Sequence, residues 1–251
     1  MVPFAPDHPG AFVRPSPNFG ERRGFSRPDL ILLHYTGMET GEGAEDWLCN
    51  PLSQVSSHYL VHEDGRIVQM VREADRAWHA GRGAWGVCED INSCSVGIEI
   101  ANPGHEFGYR DFPESQIEAV IALSLDVAAR HQVPSARVLA HSDIAPGRKL
   151  DPGERFPWAR LREAGLGLPL PVVLPPSGGP SLRLGDQNDA VQDAQAKLNR
   201  IGYGIVSTGL FDLRTKVVVE AFQRHFRPAL VDGCVDASTV HAMDQVLAGI
   251  A

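Results

Sequence analysis

Leu30-Ile-Leu-Leu-His34 is four apolar residues running straight into a histidine. An unalternating apolar run of this length is what a strand covered on both faces carries, so a polar ring stands at that strand's tip. Arg137-Val-Leu-Ala140 is a second short strand candidate, and it too runs into a histidine, His141. Between them Val96-Gly-Ile-Glu-Ile100 alternates, which sends Val96, Ile98 and Ile100 to one face and Gly97, Glu99 and Ala101 to the other. The stretch from Ser57 to Val71 is apolar-rich around Asp64-Gly65, a pair that predicts a type I′ hairpin turn. Ser115-Gln-Ile-Glu118 predicts a capping box opening a helix with Ile117, Val120, Ile121, Leu125 and Ala128 on its inner stripe. Strand and helix signals alternate, which points to an α/β domain.

That pattern stops near Leu166. Residues 167–181 hold five prolines, which argues against helix or central strand and predicts a semi-rigid linker holding the parts on either side apart. Beyond it lies a short internal repeat, Gly209-Leu-Phe-Asp212-Leu-Arg-Thr215 and Gly233-Cys-Val-Asp236-Ala-Ser-Thr239. Each copy offers a glycine turn and then an aspartate able to accept the first amides of a helix. Apolar stripes at helical spacing follow: Val191, Ala194, Leu198 and Ile201; Val218, Ala221, Phe222 and Phe226; Val240, Met243 and Leu247. Three short helices around one small core are expected over 182–251, after a larger domain over 1–166.

Composition bounds what such a chain does. Its 251 residues are 43% hydrophobic and 22% charged, enough to bury a core and unlike a disordered or fibrous chain. Lys and Arg number 23 against 31 Asp and Glu, and a formal charge of −8 argues against a nucleic-acid partner or an anionic membrane surface. No apolar run approaches the ~18 residues of a membrane-spanning helix. The opening Met-Val-Pro-Phe-Ala-Pro-Asp-His has neither the basic start nor the apolar stretch of a secretory signal. Four cysteines form no CxxC; Cys88 and Cys94 are close enough to bridge in an oxidising compartment, or stand as buried thiols.

Two histidines at strand tips with carboxylates beyond them make the donor set of a metal site. For any one of the ten histidines, a surface or hydrogen-bonded role is the default. Five separated stretches change that weighing: Leu33-His-Tyr-Thr-Gly37, Val55-Ser-Ser-His-Tyr-Leu-Val61, Trp78-His-Ala-Gly81, Asn92-Ser-Cys-Ser-Val-Gly-Ile-Glu99 and His141-Ser-Asp-Ile-Ala-Pro-Gly-Arg-Lys-Leu-Asp-Pro-Gly153. Together they resemble the zinc N-acetylmuramoyl-L-alanine amidases of bacterial cell-wall turnover and recycling, whose fold is shared with phage lysozyme-type amidases and peptidoglycan recognition proteins.

The resemblance implies a mixed central sheet flanked by helices and one zinc ion on His34, His141 and Asp151, with the fourth position left for water. It implies Glu99 as general base and Lys149 as the cation that stabilises the oxyanion. Tyr35, His58, Trp78, His79 and Asn92 become candidate substrate contacts. Some relatives place a catalytic tyrosine in the Val55–Val61 motif, where this chain has Ser57. The last 70 or so residues resemble the peptidoglycan-binding domain appended to cell-wall hydrolases, with two departures: Asn188 stands where glycine is common, and Arg224-His-Phe-Arg-Pro-Ala-Leu230 lengthens the step between the second and third helices.

The expected activity is hydrolysis of the amide between muramic or anhydromuramic acid and L-alanine in peptidoglycan or muropeptides. The alternative is a recognition protein that binds muropeptides without cutting them, since the fold includes relatives lacking the metal. A wall-binding module favours the cell envelope or periplasm, and the missing signal favours the cytoplasm. No GxSxG elbow speaks for a serine hydrolase.

Overall fold

The computed structural model describes residues 4–172, 174–175 and 179–250. In chain order its strands and helices are β1 (Phe12–Val13), β2 (Phe19–Gly20), β3 (Leu30–Tyr35), α1 (Gly41–Leu48), β4 (Tyr59–Val61), β5 (Ile67–Gln69), β6 (Arg76–Ala77), α2 (Ile91–Cys94), β7 (Ser95–Ile100), α3 (Glu114–His131), β8 (Val138–Ala140), α4 (His141–Ile144), α5 (Trp158–Glu163), α6 (Asp189–Ile201), α7 (Leu213–Phe226) and α8 (Ala237–Ile250). The main sheet is mixed, in the order β1-β5-β4-β7-β3-β8, and β2 pairs with β6 beside it. At its centre β4, β7, β3 and β8 run parallel. A parallel strand must be covered on both sides. Ile31, Leu33, Val96, Ile98, Ile100 and Val138 pack against Ile117, Val120, Leu123 and Val127 of α3 on one side, while Leu30, Leu32 and Leu139 face the opposite way.

Two local expectations are corrected. Asp64 keeps a negative φ and Gly65 alone is left-handed, with φ 88°, so the type I′ turn, which needs both, does not form. Instead the Gly65 amide donates to His62 O and the Arg66 amide to the Asp64 side chain, closing a three-residue loop. The capping box also fails: the Ser115 hydroxyl donates to Glu63 O on that hairpin loop, and Pro113 precedes α3 with no side-chain cap. With the helix so turned, Leu123, Ser124 and Val127 join Ile117 and Val120 in the buried stripe and Ile121 and Ala128 pack at its edge, while the expected Leu125 is exposed.

A buried carboxylate ties the end of α3 to the sheet. Glu73 accepts from Tyr59 Oη at 2.6 Å and faces His131 Nε2 at 2.6 Å and Arg130 Nε at 3.2 Å. Burial would raise its pKa, but His131, Arg130 and Tyr59 outweigh that and hold it at about 2 against an ordinary 4.5. Because the folded value is the lower one, the stabilisation is whole above pH 4.5 and fades as pH falls toward 2. Removing the charge in Glu73→Gln should therefore cost roughly 3 kcal/mol in urea unfolding at pH 7 and progressively less below pH 4.5. A penalty that stays constant down to pH 3 would show that the ionised carboxylate is not what stabilises.

The C-terminal helices form as the repeat predicts, and the repeat has a mechanical reason. Gln195 Oε1 accepts the amides of Thr208 and Gly209, while its Nε2 donates to Leu210 O. Gln223 does the same to Asp232, Gly233 and Cys234. Each glutamine thus clamps the glycine turn whose aspartate, Asp212 or Asp236, caps the next helix by accepting from Thr215 N or Thr239 N. Asn188 is extended and accepts Val191 N, so it serves as the N-cap of α6 and no glycine is needed there.

The expected separation of the two parts is not found. One apolar cluster holds Leu30, Leu32, Trp85 and Ile144 together with Val191, Leu198, Phe222 and Met243. Leu166 and Leu168 are buried, Leu170 packs on the apolar clusters, and Val172 N donates to Gln245 Oε1. Pro169 and Pro171 have no N–H to leave unpaired, so this segment can lie along a core without losing hydrogen bonds. Of the proline-rich segment 167–181, residues 173 and 176–178 lie outside the described residues.

Candidate functional site

Register builds the site. His34 on β3 pairs with Glu99 on β7, and Leu33 pairs with Ala140 on β8, so His141, the next residue, follows beside His34. All three strands are parallel, which brings the three polar groups to one edge, at the carboxyl ends where α/β sheets form their clefts. Asp151 comes from the loop after α4, and its carbonyl accepts Ser142 N at 2.9 Å, pinning the loop back onto the helix that starts with His141.

His34, His141 and Asp151 are all buried. The His34 and His141 Nδ1 atoms stand 2.8 Å apart, and Asp151 Oδ2 lies 3.1 Å from the first and 2.9 Å from the second. The hydrogens of this cluster can be assigned. His141 Nε2 lies 2.9 Å from Ala80 O, which only accepts, so the proton sits on Nε2 and Nδ1 is a lone pair. The Ser95 hydroxyl donates to Ile91 O, so Ser95 Oγ accepts from His79 Nε2 at 3.2 Å. His79 Nδ1 therefore accepts from His34 Nε2 at 3.0 Å, and His34 Nδ1 is bare as well. Burial first, and then the neighbouring His141, push His34 down to about 4, which keeps the ring neutral at pH 7.

Two ring nitrogens and a carboxylate oxygen thus aim lone pairs at one point with no hydrogen among them. Such a set is self-repelling and fits a cation. Donors 2.0–2.1 Å from one tetrahedral zinc stand roughly 3.3 Å apart, close to the separations found. The group could hold a metal ion. Each ring's far nitrogen is fixed by a further group, as ligating histidines require.

The cluster sits in a cavity of about 480 Å³, also lined by Tyr35, Trp78, His79, Glu99, His105 and Lys149. Glu99 Oε2 is buried there and makes no hydrogen bond to the described residues. Burial, then the charge of Asp151, raise its pKa well above the ordinary value, against the opposing pull of Lys149. Such a carboxylate, aimed into a cleft, can take up a proton.

Of the five candidate substrate contacts, Tyr35, Trp78 and His79 line this cavity and His58 and Asn92 do not. His58 is fully buried, accepts Gly97 N at 2.9 Å, and is pushed down to about 3 by burial and then by Arg22. Asn92 Oδ1 accepts the amides of His79 and Ala80, holding the segment behind His34. Ser57 donates to Gly97 O and also stays out of the cavity. Arg148, which motif reading passed over, reaches Ala80 O at 2.6 Å and so shares that carbonyl with His141. His105 was missed too; its Nδ1 lies 2.9 Å from Tyr35 Oη. Cys88 and Cys94 are unbridged, their sulfurs 2.8 Å apart.

Gly97 is small for a reason that the alternation of β7 alone does not show. A Cβ there would lie 2.5 Å from the His79 ring. Gly97→Ala should drive His79 off His34, lower the melting temperature by the equivalent of ~1–3 kcal/mol and weaken metal binding by about 10- to 100-fold. Chelator competition measures the second effect; metal affinity equal to that of the parent would show that His79 does not buttress the site.

A family model described as N-acetylmuramoyl-L-alanine amidase matches residues 24–154, and one for a peptidoglycan binding domain matches residues 187–243. The chain is 34% identical over 231 residues to N-acetylmuramoyl-L-alanine amidase AmiD of Escherichia coli, covering 86% of this chain and 80% of that protein. The complex of E. coli AmiD with the substrate anhydro-N-acetylmuramic acid-L-Ala-D-gamma-Glu-L-Lys superposes with a TM-score of 0.73 at 31% identity, over 92% of this chain and 97% of the other. AmpDH3 of Pseudomonas aeruginosa, in complex with anhydromuramic pentapeptide, gives 0.70 at 28% identity, over 93% and 94%.

Proposed function

From the premise that this chain belongs to the N-acetylmuramoyl-L-alanine amidase family, and so hydrolyses the amide between muramic acid and L-alanine, we propose that one zinc ion per chain, held by His34, His141 and Asp151, serves that reaction. The observation that carries the assignment is the convergence of three proton-free donors, two imidazole Nδ1 atoms and Asp151 Oδ2, within 3.1 Å of one another. Bound there, the ion supplies Lewis acidity to the scissile carbonyl and to the attacking water.

The chain's own groups do the rest. Glu99 Oε2, poorly solvated and without a partner among the described residues, takes the proton of the attacking water and delivers it to the leaving L-alanine nitrogen. Lys149, on the cavity wall beside Asp151, steadies the negative charge that develops on the carbonyl oxygen. Tyr35 and Trp78 line the cleft where sugar and peptide lie. His58 and Asn92 act as supports, and His79 as the brace of His34.

In this reading residues 1–166 cut, 182–251 bind the wall, and 167–181 join them. The substrates are peptidoglycan or muropeptides, and the proposed location is the cell envelope, which the similarity of residues 187–243 to a peptidoglycan binding domain supports. Among the described residues no helix is long and apolar enough to cross a membrane.

Metal analysis paired with digestion of an anhydromuropeptide tests the reading. One equivalent of zinc and release of a peptide with a free L-alanine amine are expected. Substrate binding without zinc and without cleavage would make the protein a recognition module instead.

A further inference from the structure

The lengthened step at Arg224–Leu230 and Gly202-Tyr203 are features of the C-terminal helices that wall binding does not explain. Both lead to one carboxylate in the other half of the molecule. Asp143 is fully buried, two residues beyond His141 in α4. Its Oδ2 accepts Ala140 N at 2.9 Å and faces His225 Nδ1 at 2.7 Å, and its Oδ1 accepts from Tyr203 Oη at 2.7 Å. Two of these three partners come from the C-terminal part of the chain, His225 from α7 and Tyr203 from the turn that follows α6. The Ala140 amide that Asp143 holds is the one leading directly into the ligand.

Both distal groups are held firmly. The His225 ring is stacked between Trp158, 3.9 Å away, and Phe226, at 4.1 Å. Tyr203 packs edge-on against Trp85 at 5.0 Å, and the backbones of these two residues form a bridge. Arg224, next to His225, pairs with Glu154 at 3.5 Å, and Glu154 in turn meets His105 in the cavity wall.

We propose that Tyr203 and His225 are positioning residues for His141: the C-terminal helices set the angle at which that imidazole enters the metal cluster, acting through the Asp143 carboxylate and the Ala140 amide. The inference rests on the zinc reading given above. A buried carboxylate stripped of two donors keeps a single hydrogen bond, and the cost of its desolvation is then relieved by turning out of place. The start of α4 goes with it.

The test uses the full chain, carrying Tyr203→Phe with His225→Leu, and zinc as the probe. Chelator competition should show zinc binding weakened about tenfold, the low end for groups that orient a ligand. With zinc saturating, kcat should fall while KM for an anhydromuropeptide stays unchanged. Tyr203→Phe with His225→Asn, which restores a donor near the Nδ1 position, should recover much of the loss. Zinc affinity and kcat equal to those of the unaltered protein would overturn the proposal.

Should the double variant fail to fold, Tyr203→Phe alone, nearly identical in shape, is read by the same competition, and parent-like affinity again overturns it. If the unaltered chain holds no zinc, the metal reading has failed by itself. Deuterium exchange at the Ala140 amide then decides the positioning claim without metal: severalfold faster exchange in Tyr203→Phe supports it, and unchanged exchange refutes it.

Discussion

Glu99→Gln is expected to keep the fold and the zinc and to lose about 10²- to 10⁴-fold in kcat, the range assigned to a positioned proton-transfer group. The substitution preserves shape and removes the ability to carry a proton. It also relieves a strain, because Glu99 Oε2 is buried without a hydrogen bond among the described residues and lies close enough to Asp151 for like charges to oppose each other. The variant should therefore unfold no earlier than the parent while cutting far more slowly. Kinetics on an anhydromuropeptide and a melting curve on the same sample separate the two effects. Turnover within threefold of the parent would remove Glu99 from the mechanism.

His141→Ala should abolish both zinc retention and turnover. Its Nδ1 lies 2.8 Å from His34 Nδ1, and its Nε2 donates to Ala80 O. Removing the ring deletes one donor of three and leaves the Ala80 carbonyl with Arg148 for company. Zinc content should drop below a tenth of an equivalent after dialysis, with cleavage falling to background. A variant that still held stoichiometric zinc would place the ion elsewhere. Against Glu99→Gln, the contrast is sharp: one protein loses chemistry with metal in place, the other loses metal and chemistry together.

How much of this could be read beforehand depended on distance along the chain. His34 and His141 were legible because an apolar run that stops at a polar ring marks a strand whose tip leaves the core. Parity put Glu99 on the face it shares with Gly97, but its role as a base came from the resemblance. Asp151 and Lys149 lie in a loop with no periodicity of their own, and only the resemblance singled them out. Parity said nothing of what fills the space above Gly97, so the role of His79 as a brace needed coordinates.

The failures have similar causes. Ser115 and Asp64-Gly65 obey local rules, but the hydroxyl found a better acceptor in Glu63 O and the hairpin took a longer loop. The prolines of 167–181 were read as a spacer because proline fixes backbone, while the leucines between them, which decide what the segment packs on, were given no weight. Asp143, Tyr203 and His225 are far apart in sequence, and no spacing rule joins them.

The apolar cluster shared by the two halves fixes how such an enzyme can work on a wall. A module on a loose tether lets its blade sweep every bond within the tether's radius. With residues 182–251 binding the wall as proposed, the grip and the blade are one casting, so the stems that can be cut are those at a set offset from the strand being held, and moving on requires letting go.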